Sequence, residues 1–184
     1  ISALILPGGE STAMRKASQS ESLLDGIFSW MDNHPERPVL GTCAGAILLS
    51  NPGNNKSPYI SVDISRNAWG RQRQSFEAPV NVSLKTPEYS STGELQLQRD
   101  KFNHKPLNIS HEAASTNLEF YPGVFIRAPR FITESIKCKT IATLEDEIVG
   151  VLDGNKLALT FHPELTLDRR FHRWLIVNAK NSIC

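Results

Sequence analysis

A chain of 184 residues, 40% hydrophobic and 21% charged, is long enough to bury a sizeable core and reads as one soluble globular domain spanning 1–184. Its 20 basic residues against 19 acidic ones argue against a nucleic-acid or anionic-membrane partner, and no apolar run approaches the roughly 20 residues of a membrane span. Three irregularly spaced cysteines and no visible secretory leader point to a reducing compartment, the cytoplasm, and no two histidines stand at metal-ligand spacing, so no metal and no cofactor are expected.

The chain opens inside an apolar run, Ala3-Leu4-Ile5-Leu6, which predicts a buried parallel strand leaving through the loop Pro7-Gly8-Gly9. It begins without Met and without an upstream turn, which predicts a form lacking an N-terminal unit. Ser11 or Thr12 can cap a helix to about Ser18, and Leu23, Leu24, Ile27, Phe28 and Met31 continue at helical spacing. After Pro35 and Pro38 comes a second strand, Val39-Leu40, then Gly41-Thr42-Cys43-Ala44-Gly45 and a helix ending near Asn51-Pro52-Gly53. From Tyr59 onward strands dominate: Ile60-Ser61-Val62, residues 76–82, 123–127, 140–144, 148–152 and 156–161, with Asp153-Gly154 as the turn of a hairpin joining the last two. The tail places Phe171, Trp174 and Leu175 at i, i+3 and i+4 of a last helix. Strand and helix alternate first and strands follow, which predicts an α/β sheet with an antiparallel extension. Residues 85–119 stand apart: 9 of 35 are apolar, too few to offset the entropy of ordering them, so this is a polar surface insertion.

Two stretches carry chemistry. A cysteine between small residues, with a strand before it and a helix after it, is a nucleophile elbow: the tight turn leaves no room for larger flanking side chains, and a helix N-terminus favours anions. Downstream, Pro163 disfavours the α region for His162. In an extended segment His162 and Glu164 would share one side, giving Cys43 a base and its orienting carboxylate. The remaining histidines lack such partners, and Cys138 and Cys184 have no comparable setting.

Five blocks then occur in order: Leu6-Pro7-Gly8-Gly9-Glu10-Ser11-Thr12, Gly41-Thr42-Cys43-Ala44-Gly45, Arg66-Asn67-Ala68-Trp69-Gly70-Arg71-Gln72, Phe125-Ile126-Arg127-Ala128-Pro129 and Phe161-His162-Pro163-Glu164-Leu165-Thr166. Together they resemble the class I (triad) glutamine amidotransferases, and within them the glutaminase subunits of pyridoxal 5'-phosphate synthase. The resemblance implies a flavodoxin-like sheet flanked by helices and hydrolysis of L-glutamine to glutamate and ammonia. Cys43, His162 and Glu164 would form the triad, and Gly9, Glu10, Ser11, Arg66, Ile126 and Arg127 would contact L-glutamine. Amides near Gly8 and Gly9 and that of Ala44 would form the oxyanion hole. The substrate carboxylate suits a guanidinium and a free helix N-terminus near Ser11. The resemblance further implies that ammonia passes to a (β/α)8 synthase subunit for vitamin B6 biosynthesis. Members of the family begin with a strand, a glutamine-containing loop and a helix that this sequence lacks, and the insertion is longer than usual. The rival readings are a non-catalytic regulatory or scaffold subunit of the same fold and a related cysteine hydrolase or peptidase.

Overall fold

The apolar runs near the two ends of the chain's first quarter become β1 (Leu4–Leu6) and β2 (Val39–Thr42), paired in parallel with Leu4 opposite Val39 and Leu6 opposite Gly41. This computed structural model describes residues 1–53, 56–66, 75–85, 120–166 and 168–182. β2 also pairs in parallel with β9 (Lys156–Leu159). From β9 outward the pairing is antiparallel, through β8 (Glu147–Asp153), β7 (Lys139–Leu144), β4 (Ser75–Val82) and β5 (Phe120–Ile126). The order is β1-β2-β9-β8-β7-β4-β5, an α/β sheet with an antiparallel extension as the pattern predicts.

Because side chains alternate across a strand, the sheet has a core on each face. Leu40, Leu157 and Leu159 pack on one face with Phe171, Trp174 and Leu175 of α4 (Arg170–Asn181). Val39, Val151 and Ala158 pack on the other with Leu24, Phe28 and Met31 of α2 (Leu23–Asn33) and Leu48 and Leu49 of α3 (Ala44–Ser50). Cutting off any of the larger of these side chains at the β-carbon would remove apolar area worth about 25 cal/mol per Å² and leave a void besides. β1 is an edge strand. Its Leu6 is buried, but Ile5 is 42% exposed, so the strand is half-buried where the apolar run predicts full burial.

Several local expectations change. Helix α1 (Ser11–Ser18) is capped by Glu10, not by Ser11 or Thr12: the Glu10 carboxylate accepts from the amides of Thr12 at 2.9 Å and Ala13 at 2.6 Å. The longer side chain reaches two of the orphan amides of the first turn at once. Ile60-Ser61-Val62 is not a strand. Ile60 and Val62 are buried, but the backbone around them bonds to separate partners: Tyr59 N to Leu49 O, Lys137 N to Ser61 O, Ser61 N to the Asp153 carboxylate and Ser50 Oγ to Val62 O. Burial without a ladder produced the strand-like sequence. The strand here is the short β3 (Ile64–Ser65), antiparallel to β6 (Arg130–Phe131). The β8–β9 hairpin pairs Asp153 with Lys156, so its two turn residues are Gly154 and Asn155, one residue later than predicted. The predicted insertion lies, from residue 86 to 119, outside the described residues, as do residues 67–72 of the Arg66 block. Among the described residues no helix is long and apolar enough to cross a membrane.

Candidate active site

The C-terminal ends of β2 and β9 meet the start of α3 at Cys43. Its amide donates to Leu159 O at 2.8 Å, its carbonyl accepts from Ile47 to begin the helix, and its φ of +48° lies in a region that non-glycine residues enter rarely. Strain at a single residue between a strand and a helix is the signature of a nucleophile elbow. Gly45, one residue into α3, lets the helix start against the end of β1: a β-carbon there would lie on the Leu6 carbonyl, 2.6 Å from its carbon.

His162 follows β9 and is fixed by its amide, which donates to Val124 O at 2.8 Å. Its φ of −106° and ψ of 87° keep it out of the α region, as Pro163 requires. The segment beyond is not extended, however. Pro163–Leu165 forms a single 3₁₀ turn, and the turn, not strand alternation, brings Glu164 Oε1 to 2.7 Å from His162 Nδ1. Gly8 lies against the imidazole so closely that a β-carbon on it would stand 2.8 Å from His162 Nδ1.

The electrostatics follow from these contacts. Burial opposes the His162 charge, but the neighbouring Cys43 sulfur and the hydrogen bond to Glu164 outweigh it and push the imidazole up to about 9. Burial likewise opposes the Glu164 charge, and its bond to His162 holds the carboxyl below the ordinary range all the same. His172 of α4, near Glu164, is shifted down by burial and by Arg169, toward the neutral form. Because the folded His162 lies above its unfolded value of about 6.5, its contribution to stability is complete below that value and disappears as pH rises through about 9.

Cys43 and His162 open into a cleft of about 260 Å³ lined also by Gly9, Glu10, Ser11, Arg66, Ile126 and Arg127. That is below the roughly 300–1,000 Å³ of drug-sized ligand sites and leaves room for a group the size of one amino acid. Arg66 donates to Thr12 Oγ1 at 3.2 Å, and the Ile126 carbonyl stands 4.0 Å from Cys43 Sγ. Arg127, exposed with φ of +43°, is a second strained residue on the rim. Gly9 has φ of +144°, a conformation open to glycine. Gly8, Ala44 and Glu164 are not part of this lining: Gly8 and Glu164 lie against the His162 ring, and Ala44 is the first residue of α3. The Thr12 and Ala13 amides are taken by Glu10, which narrows what the start of α1 can offer a carboxylate. Ile47 and Pro129 also line the cleft and escaped the sequence reading. Ile47 stands one helical turn beyond Cys43, a spacing that would have found it.

Known proteins resemble this chain in sequence and in fold. The model of the SNO glutamine amidotransferase family matches residues 1–93 and 93–181. Pyridoxal 5'-phosphate synthase subunit PdxT of Thermococcus gammatolerans is 37% identical over 97% of this chain and 77% of its own length. The same subunit of Listeria welshimeri is 35% identical over 94% of this chain and 76% of its own. Among solved structures, a glutamine amidotransferase superimposes with a TM-score of 0.69 at 31% identity, covering 98% of this chain and 80% of that one. PurLQS from Thermotoga maritima, at 16% identity and a TM-score of 0.56, shares the fold.

Proposed function

The chain belongs to the SNO glutamine amidotransferase family, and we propose that it hydrolyses L-glutamine to glutamate and ammonia through Cys43, His162 and Glu164. The observation that carries this reading is the strained Cys43 beside an imidazole oriented by Glu164, in a cleft of amino-acid size rimmed by two arginines.

In the proposed sequence Glu164 holds His162 by Nδ1, which leaves Nε2 for the sulfur. An imidazolium beside the sulfur is the partner that a thiolate nucleophile needs. The sulfur adds to the side-chain amide carbon, and the oxyanion formed is taken up by main-chain amides around Gly8–Gly9 and of Ala44. His162 gives its proton to the departing ammonia, leaving a glutamyl thioester. Water, losing a proton to His162, then adds to the thioester, and glutamate leaves as the sulfur is regenerated. Arg66 and Arg127 are assigned to the substrate carboxylate, with Glu10, Gly9, Ser11 and Ile126 as the other contacts.

The relatives are synthase subunits by name, so we assign the ammonia to a (β/α)8 partner that builds pyridoxal 5'-phosphate. Two free thiols among the described residues, Cys43 and Cys138, suit the cytoplasm.

The test is ammonia release from glutamine, with asparagine and a glutamine-containing peptide as competitors, in the presence of the synthase partner. Turnover of free glutamine alone supports the proposal. No turnover leaves the scaffold reading, and peptide cleavage the peptidase reading. Two further results are expected. The plot of kcat/KM against pH should stay level from neutrality and fall with an apparent pKa near 9, because the raised His162 loses its proton there; an acid limb near 6.5 with no alkaline fall would mean that His162 acts as an unperturbed base. Arg127→Lys should raise KM for glutamine about 10-fold with kcat little changed, since a point charge cannot reproduce a guanidinium fork. An unchanged KM would remove the contact.

A further inference from the structure

Neither the sequence motifs nor the cleft lining includes Tyr121, yet its hydroxyl is bonded to the segment that carries Glu164. Tyr121 lies on β5 with 0% of its surface exposed, and its ring packs against Phe161, at 5.5 Å, and Phe171, at 4.8 Å. The hydroxyl is 2.8 Å from Thr166 Oγ1, 3.2 Å from Pro163 O and 3.3 Å from Asp168 O. Thr166, 3% exposed, places its own hydroxyl 3.4 Å from Pro163 O and 3.3 Å from Asp168 O. Two hydroxyls therefore share two protons among two carbonyls and the contact between themselves, so removing either hydroxyl leaves one proton for two buried carbonyls. The Pro163 carbonyl belongs to the peptide that joins Pro163 to Glu164. The same strand holds the residue before it, through Val124 O and the His162 amide. Glu164 needs such support: its side chain is 42% exposed, against 11% for His162, so packing alone does not fix the carboxylate.

We propose that Tyr121 is a positioning residue for the hydrolysis, its hydroxyl and that of Thr166 pinning the turn after His162 so that Glu164 stays on Nδ1. The inference rests on the glutaminase reading given above. Tyr121 touches no reacting atom; it acts through the Pro163 carbonyl on Glu164, and through Glu164 on the imidazole. Cys43 and Glu164 face His162, and α4 adds His172 and Arg169 beside Glu164, groups that Tyr121→Phe leaves in place.

The experiment compares Tyr121→Phe with the unaltered chain, both with the synthase partner, and adds Tyr59→Phe as a control. The Tyr59 hydroxyl is also bonded, to Asp32 and Phe28 O, but away from the cleft. Tyr121→Phe should lower kcat about 10-fold or more with KM unchanged, the scale expected when a catalytic group is displaced by a fraction of an ångström. Tyr59→Phe should leave kcat unchanged. A second readout needs no turnover: the rate of Cys43 alkylation by iodoacetamide against pH, followed on the Cys43 peptide. Its pH profile should change in Tyr121→Phe, because a displaced Glu164 no longer helps to raise the imidazole beside the sulfur. If Tyr121→Phe does not fold, Thr166→Val removes the other hydroxyl and carries the same expectations. Unchanged kcat together with an unchanged alkylation profile overturns the proposal, even if the melting temperature falls, because that pattern is stability alone. Failure of the unaltered chain to hydrolyse glutamine would defeat the glutaminase reading instead, while the alkylation profile would still judge Tyr121.

Discussion

Cys43→Ala should lower kcat for glutamine hydrolysis by on the order of 10⁴-fold or more, since His162 and Glu164 have no work without the atom they serve. The fold should survive. Cys43 is 4% exposed, its backbone is held by Leu159 O and by the first bond of α3, and Ala keeps the β-carbon while removing the sulfur. The positive φ at 43 is no worse for Ala than for Cys. Thermal unfolding should therefore move by only a few degrees, and the partner should still bind. Parallel activity and melting measurements check this. Glutamine turnover within about 10-fold of the unaltered chain would leave the nucleophile without a candidate, because burial raises the Cys138 thiol and makes it a poor substitute.

The largest expected loss of stability is at Gly45. A β-carbon there would fall on the Leu6 carbonyl and 2.9 Å from the Leu6 side chain, a clash with backbone that no rotamer change relieves, in a core that holds Leu6, Ala46 and Leu48 together. Gly45→Ala should cost about 3 kcal/mol, at the upper end of overpacking effects. For a chain of this size that is a fall in melting temperature of roughly 6–12 °C. Ala is the better helix former, so propensity alone predicts a small gain; the sign of the shift decides between local preference and close approach. Because α3 begins at Ala44, the helix cannot back away from β1 without carrying Cys43 with it, and activity should fall at temperatures where the variant is still folded.

The legible parts of this chain were those where local sequence and tertiary role coincide. Val39-Leu40 followed by a small-residue turn with cysteine can form little other than a strand entering an elbow, and the Phe171, Trp174 and Leu175 stripe has one way to face a core. Interactions that pair distant residues were not legible. Ile60 and Val62 look like a strand because both are buried, yet their backbone bonds go to partners ranging from Ser50 to Lys137 and Asp153. The spacing of His162 and Glu164 suggested the right pair for a different reason, since a 3₁₀ turn and an extended segment can both bring residues two apart together. The sequence reads Glu10 as a substrate contact, and its role as the cap of α1 is hidden because shorter polar residues beside it are the stronger capping signal. Tyr121 was invisible to motif reading, its partners being 42 to 47 positions away.

The central claim, that Cys43 is the atom glutamine meets, is tested most directly by covalent trapping. The chain, with its synthase partner, is incubated with a diazoketone analogue of glutamine, and the modified residue is located by peptide mass spectrometry. The account predicts one adduct per chain on Cys43, formation slowed by excess glutamine, and none in Cys43→Ala or on Cys138. An adduct on Cys138 or elsewhere that glutamine protects, or an unmodified Cys43 in a preparation that still releases ammonia, would contradict it.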